Sequence, residues 1–193
     1  MATNTINKNT APVNVKRMVI FYNDGETEKT FDFSERIMTY KDTISSNSEP
    51  LCGGGEVRDI AYGMSSGSLE LGIFELTNEE RAVIYGEKVV KGANVTTGAI
   101  SLDYVGVAVL VERNDGTVNL HKWFKVKFAP NDEDVTQISD GKKTFSTITL
   151  KGTYIKDGEN GYRATQRQVD PTEKATVVSS WFSEREYIGE ESV

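Results

Sequence analysis

The sequence predicts a mainly β fold, an antiparallel sheet accompanied by one clear α-helix. Three observations predict it: Asp-Gly pairs separate strand-like runs at three places, the runs carry strand-type apolar patterns, and one segment carries a full helix-start signature. The chain has 193 residues, a length that suits one domain.

The Asp-Gly pairs mark three predicted hairpins, because tight hairpin turns need the positive φ that glycine adopts freely. The turns are residues 23–25, 114–116 and 156–158. The runs that flank them are 16–22 with 28–33, 104–112 with 117–128, and 145–155 with 162–169. One such match is weak evidence, whereas three matches indicate an antiparallel sheet.

Two runs are apolar on both faces, residues 18–22 and 105–111. A strand of that kind is either central in a sandwich or covered by a neighbouring subunit. An isolated small domain explains two such strands poorly, so cover by a neighbouring subunit is favoured. Gly106 and Ala108 leave little side chain on one face of the second run. We therefore expect another part of the structure to approach closely there.

The run 117–128 alternates, which predicts a half-buried strand with one solvated side. Strict alternation puts Lys122 on one face with Val118, Leu120, Phe124, Val126 and Phe128, and puts His121, Trp123, Lys125 and Lys127 on the solvated face. Because Lys122 lies opposite the other two lysines, no patch of three lysines forms. An ordinary solvated strand is therefore favoured over a nucleic-acid-binding strand.

The predicted helix spans residues 77–86 and follows a strand at 68–75. Thr77 and Glu80 have the spacing of a capping box, and Gly86 is a typical residue beyond a helix end. A second helix-start signature lies at residues 170–173, with Pro171 at the first helical position. The β-branched run 176–178 weakens that second prediction.

The remaining segments are predicted to be irregular. Residues 1–14 form a flexible N-terminal arm, 15–183 a single β-rich domain, and 184–193 an acidic C-terminal tail. Residues 39–59 are predicted to be a long loop, since they combine serines, a proline and three consecutive glycines. A structureless stretch of about 20 residues inside a compact domain is normally functional or ordered on binding.

Charge and hydropathy exclude several classes of protein. The net charge is −7 with no long basic run, which argues against tight binding to nucleic acid. No apolar stretch approaches the roughly 20 residues that a membrane-spanning helix needs. Residues 1–14 lack the charged start and apolar centre of a signal peptide, so we expect synthesis and retention in the cytoplasm.

No catalytic, cofactor or metal site is predicted. His121 is the only histidine and Cys52 the only cysteine, so neither has an evident partner for nucleophilic catalysis. Gly53, Gly54 and Gly55 precede Glu56, which would repel phosphate where a phosphate loop needs lysine. Residues 131–134, an asparagine and three acidic residues, lack the ligand spacing of a calcium loop. A pair of glycosidase-type carboxylates stays open, since geometry sets such pairs.

One stretch carries a resemblance to a known family. The segments concerned are Ala61-Tyr62-Gly63, Gly67-Ser68-Leu69-Glu70-Leu71, Leu76-Thr77-Asn78-Glu79-Glu80-Arg81 and Ile84-Tyr85-Gly86. Together they resemble the major tail protein family of siphophages that infect Gram-positive bacteria. Residues 175–182, which end in Trp181 and Phe182, look like the closing segment of that family. The likeness covers about residues 15–185.

The resemblance implies a tail-tube-type β-sandwich or barrel with one flanking helix, extended arms and a long loop. It implies hexameric rings that stack into the tail tube of a virion, with the loop and arms bridging successive rings. The implied partners are other copies of the chain, the tape measure protein in the lumen, the tail terminator and distal tail proteins, and double-stranded DNA in transit without tight binding. The protein would be made in the host cytoplasm, and no membrane partner is implied.

The residues predicted to pack on the next ring share one segment, the predicted loop: Glu49, Leu51, Gly53, Gly54, Gly55, Arg58 and Asp59. Trp181 and Phe182 are predicted to lie in the core or in an interface. The acidic balance fits a channel wall along which DNA slides. Two alternatives stay open: a β-sandwich adhesin, whose aromatic patch would need Trp123 and Trp181, and a small hydrolase built on paired carboxylates.

Overall fold

A computed structural model describes residues 11–25, 27–45, 48–53, 56–62, 66–95, 103–130, 147–158, 164–172 and 174–189. The strands are β1 (Pro12–Asn23), β2 (Glu28–Asp32), β3 (Ile37–Ser45), β4 (Ser48–Gly53), β5 (Glu56–Tyr62), β6 (Ser66–Ile73), β7 (Lys88–Val90), β8 (Ala93–Val95), β9 (Val105–Arg113), β10 (Val118–Ala129), β11 (Ile148–Ile155) and β12 (Ala164–Val169). The helices are α1 (Asn78–Tyr85) and α2 (Ala175–Ser183). The predicted mainly β fold is confirmed.

The main sheet is antiparallel and has eight strands in the order β2-β1-β9-β10-β11-β6-β3, with β12 also paired to β10. It curls, so that β3 at one end lies beside β1 near the other. The open edges of these two strands leave a groove of about 310 Å³ lined by residues 12–15, 38–40 and Val111. The sheet therefore approaches a barrel without closing.

Two of the three predicted hairpins are confirmed. β1 pairs with β2 and β9 with β10, and Gly25 and Gly116 adopt φ of 100° and 82°. The third prediction is wrong, because β11 and β12 do not pair with each other. They lie in tandem along one edge of β10, β11 against 125–129 and β12 against 118–123. Gly158 accordingly lacks the positive φ of a tight hairpin turn.

The strict alternation predicted for residues 117–128 is wrong. The register of β10 against β9 shifts between Trp123 and Val126. A bulge of this kind moves the later side chains to the opposite face, so Trp123, Val126 and Phe128 join one core cluster. The predicted solvated side is wrong as well, since Trp123 is 1% exposed and His121 is half-buried.

Both faces of the central strands are buried within this one chain. Met18 and Ile20 of β1 enter a cluster inside the curled sheet, which also contains Val107 and Val109 of β9. The opposite face of these strands contributes Val19, Phe21, Ala108 and Leu110 to a second cluster. Helix α2 covers that cluster with Val177, Trp181 and Phe182. The apolar strands thus do not need a neighbouring subunit to cover them, because α2 supplies the second layer.

Gly106 and Ala108 admit a close approach, as predicted. A Cβ atom built on Gly106 would lie 3.1 Å from Cγ of Arg185, which follows α2. Ala108 faces the cluster beneath α2. The approaching element is therefore the C-terminal end of the described chain.

Helix α1 has the predicted caps. Thr77 accepts from the Glu80 amide, Glu80 Oε2 accepts from the Thr77 amide at 2.8 Å, and Gly86 is left-handed with φ 67°. Glu80 also binds the Arg36 guanidinium through both carboxylate oxygens, the Nη1 contact being 2.8 Å. This pair fastens α1 to the turn between β2 and β3.

The long loop predicted at 39–59 is wrong: β3, β4 and the start of β5 occupy it. The flexible arm predicted at 1–14 is wrong in part, since Pro12–Asn14 begin β1. Residues 1–10 lie outside the described ranges. Gly54, Gly55 and residues 131–134 lie outside them as well. The second helix begins at Ala175 instead of Pro171. Asp170 Oδ1 accepts from the amide and hydroxyl of Thr172, which holds that segment in a turn.

Candidate assembly surface

The segment predicted to contact other copies is a two-stranded arm, β4 paired with β5. It follows β3 and leads into β6, which themselves pair in the main sheet. The arm therefore continues the β3–β6 ribbon past the end of the eight-stranded sheet. Six residues of extended strand reach about 20 Å.

All side chains described in the arm are exposed. Leu51 is 65% exposed, Val57 58% and Ile60 47%. A two-stranded hairpin is marginally stable in water by itself, and stability normally requires a third strand or a packed layer. Within the described residues the arm has neither, so its apolar side chains are available for another molecule.

The register gives the arm two unlike faces, because residues paired directly across a ladder point the same way. Pro50 pairs with Ile60 and Cys52 with Val57, and these four side chains form the apolar face of the arm. A register shift between Leu51 and Cys52 keeps Val57 on that face. The opposite face pairs Leu51 with Asp59 and Glu49 with Ala61, and Gly53 with Glu56, so it is mainly acidic.

The predicted site residues fall into two separate places. Glu49, Leu51, Gly53, Arg58 and Asp59 lie in the arm, and Gly54 and Gly55 of its tip lie outside the described ranges. Trp181 and Phe182 belong to α2 and face the core, 0% and 3% exposed. The structure does not bring the two sets together.

The groove between β1 and β3 is a second apolar surface, and the sequence reasoning missed it. Val13 is 61% exposed and Met38 52% exposed at its two sides. β1 is bonded to β2 only from Val19 onward, and β3 is the end strand of the sheet. The only signal in the sequence was the apolar character of residues 12–15, which the flexible-arm prediction disregarded.

His121 has an aromatic setting. Its Nε2 atom lies 3.3 Å from the Tyr40 hydroxyl, and its ring stacks on Trp123 with a centroid separation of 5.9 Å. Burial lowers the pKa of His121, and the nearby Asp42 partly opposes that shift.

No group of three or more His, Cys, Asp or Glu side chains able to hold a metal occurs in the ranges the structure describes. None of the helices described there is long and apolar enough to cross a bilayer.

Comparison with known proteins gives distant structural neighbours. One is a chain of the anti-feeding prophage baseplate, solved by six-fold symmetrised cryo-EM. The match has a TM-score of 0.37 and 14% sequence identity, and it covers 83% of this chain and 96% of that chain. Another is a chain of the phage p2 baseplate in its activated conformation with Sr. That match has a TM-score of 0.32 and 15% sequence identity, and it covers 71% of this chain and 42% of that chain. No family model and no curated protein matches the sequence. At these scores the likeness carries no inference about function.

Proposed function

We propose that the chain is a structural subunit of a phage tail, which polymerises as stacked hexameric rings into the tube through which DNA is ejected. The observation that carries the proposal is the exposed arm with one apolar and one acidic face. The resemblance of residues 61–86 to major tail proteins supplies the kind of assembly. The role is non-catalytic, and the location is the virion tail.

The arm is suited to a head-to-tail contact between copies. Its apolar face would be buried by a surface elsewhere on the next copy, and the groove between β1 and β3 is such a surface. A contact between two different patches repeats from copy to copy and, where the rotation does not close, it builds a filament. The arm of one ring therefore docks in the groove of a copy in the next ring.

Electrostatics fits passage of DNA. The net charge is −7, and the arm face opposite the apolar one carries Glu49, Glu56 and Asp59. Once the apolar face is buried in the next ring, this acidic face remains available to repel phosphate. Tight binding would need a cluster of basic side chains that release counterions. Tape measure, terminator and distal tail proteins are the further partners that the resemblance implies.

Electron microscopy of the purified full-length protein at rising concentration tests the tube. We expect hollow tubes of uniform diameter. A monodisperse monomer at high concentration, in the presence of its tail partner proteins, contradicts the proposal. The adhesin alternative predicts that second outcome, although Trp123 and Trp181, on which its aromatic patch would rely, are both buried.

The single cysteine offers a test of the docking site, since Cys52 lies on the apolar face of the arm. A second thiol is placed in the groove by Val13→Cys. On oxidation, Cys52 of one copy should form a disulfide with the introduced cysteine of the next copy, so a ladder of linked subunits should appear. The matched control is Val95→Cys, an exposed valine outside the groove, 41% exposed. If tubes form but no ladder appears, the arm docks on a surface other than the groove. If a variant that lacks residues 46–55 still forms tubes, the arm takes no part in the assembly.

A further inference from the structure

The six residues after α2 cross the sheet as a strap, residues 184–189. Lys122 of β10 donates from Nζ to the carbonyl of Glu184 at 2.7 Å and to the carbonyl of Tyr187 at 2.6 Å. These two bonds fix the strap at two points three residues apart. Lys122 thus closes the strap on the strand beneath it.

Two arginines add to this attachment. Arg185 donates from Nε to the Phe124 carbonyl at 2.9 Å, and Arg167 donates from Nη1 to the Ile188 carbonyl at 3.3 Å. The Arg185 amide also donates to Glu28 at 3.2 Å. The described part of the strap forms no strand ladder, and Ile188 is 37% exposed. The strap is therefore held mainly by polar side chains, with Tyr187 packed against the apolar cluster beneath α2. Helix α2 before it is held by apolar burial.

Lys122 is in an unusual environment for a lysine. It is 0% exposed, and its Nζ atom lies 5.5 Å from the Phe21 ring centre and 4.8 Å from the Trp181 ring centre. Burying an ammonium is costly unless it is paired with a carboxylate and fully bonded. A neutral amine has two N–H donors, and the site offers two carbonyl acceptors. The two rings lie at cation–π distance and favour the ammonium in part. Desolvation is the larger effect, so the closed strap suits the neutral amine better.

We propose that residues 184–189 are a releasable strap with Lys122 as its clasp, and that proton uptake by Lys122 favours the released state. Release hydrates the ammonium and uncovers the narrow surface around Gly106 and Phe124. The proposal concerns a conformational equilibrium of the single chain, so it does not depend on the tube.

The electrostatics of the site supports this reading. Burial lowers the pKa of Lys122 from 10.5 to about 7, although Glu186, Glu28 and Glu184 partly oppose the shift. Besides these glutamates, the charged side chains that bond to the strap or belong to it are Arg185 and Arg167, and the pH window of interest is pH 7 to pH 9. His121, whose pKa is lowered, stays mainly neutral over the same range. The charge of Lys122 in the closed strap therefore changes within this window.

Hydrogen exchange of the full-length protein tests the strap directly. The protection factor of the Arg185 amide, which donates to Glu28, is corrected for the intrinsic exchange rate and measured at pH 7 and pH 9. Because the released lysine takes up a proton that the closed one lacks, we expect protection to be roughly tenfold or more lower at pH 7. Protection that is the same at both pH values overturns the proposal.

Lys122→Met separates the clasp from the rest of the fold. The variant keeps the apolar packing but loses both donors and the titration, so strap protection should be lower than in the wild type at pH 9 and should not change with pH. Lys127→Met is the matched control, the same change on the same strand, and should behave as wild type. If Lys122→Met kept the pH dependence, Lys122 would not be the clasp. The pH series on the unmodified protein decides the question even if that variant does not fold.

Discussion

The centre of the sheet and the arm are both paired β-strands, yet their surroundings are opposite. In residues 18–21 of β1 and 105–111 of β9, side chains on both faces are buried, those on one face inside the curled sheet and those on the other beneath α2. In β4 and β5, every described side chain is exposed. The same secondary structure thus forms a core in one region and an available surface in the other.

The difference shows that strand formation and burial are separate properties of this chain. β1 gains stability from two layers of neighbours, whereas the arm inherits its strand geometry from the β3–β6 ribbon that it prolongs. Substitutions in the centre should act on folding. Substitutions in the arm should act on association, and unfolding measured beside assembly distinguishes the two.

The largest loss of stability is expected for Trp181→Ala, in the layer that covers the sheet centre. Trp181 is 0% exposed, and its indole donates to the His121 carbonyl at 3.3 Å. Removing a buried tryptophan leaves a cavity, so the free energy of unfolding should fall by about 3–5 kcal/mol. Urea unfolding followed by circular dichroism measures it. A loss below about 1 kcal/mol would mean that α2 does not cover the sheet as described.

A smaller loss is expected for Glu80→Gln, at the attachment of α1. The change weakens the Arg36 pair and the capping box, so the free energy of unfolding should fall by about 1–3 kcal/mol. Glu79→Gln, in the same helical turn and exposed, is the control and should stay near wild type.

The Glu80 contribution should also depend on pH. Burial would raise the pKa of Glu80, but the hydrogen bonds from Arg36 and Thr77 outweigh burial and the pKa is lowered from 4.5. Stability from this group is therefore complete above about pH 4.5 and is lost as the pH falls through the lowered pKa of the folded state. Glu80→Gln should remove that part of the acid dependence, and an unchanged acid profile would contradict it.

The smallest effect on stability, with a large effect on assembly, is expected for the double change Val57→Ser and Ile60→Ser. Both side chains are exposed, so the free energy of unfolding should change by no more than about 0.5 kcal/mol. Tubes should disappear or require a much higher protein concentration in sedimentation assays. Leu51→Ser, on the opposite face of the arm, should disturb assembly less. If both changes act alike, the two faces of the arm do not differ in the way that we infer.

The sequence determined the local features whose signal lies within a few residues. Thr77, Glu80 and Gly86 specify both ends of α1, and the Asp-Gly turns with Gly25 and Gly116 specify two hairpins, because cap and turn geometry depends on near neighbours. The runs apolar on both faces correctly indicated strands buried on both sides, but the favoured cover by a neighbouring subunit was wrong, because α2 of the same chain supplies it. The small residues Gly106 and Ala108 correctly indicated a close approach.

Only the tertiary structure decided which elements those strands meet. The layer over the sheet centre is α2, some 70 residues further along the chain than β9, and no local pattern encodes such a contact. The tandem pairing of β11 and β12 and the bulge after Trp123 likewise depend on the register with distant strands. The arm was predicted as a loop because its serines, proline and glycines are poor strand formers. Its strands form nevertheless, since the β3–β6 ladder places the two segments beside each other, and this tertiary context overrides their weak strand propensity.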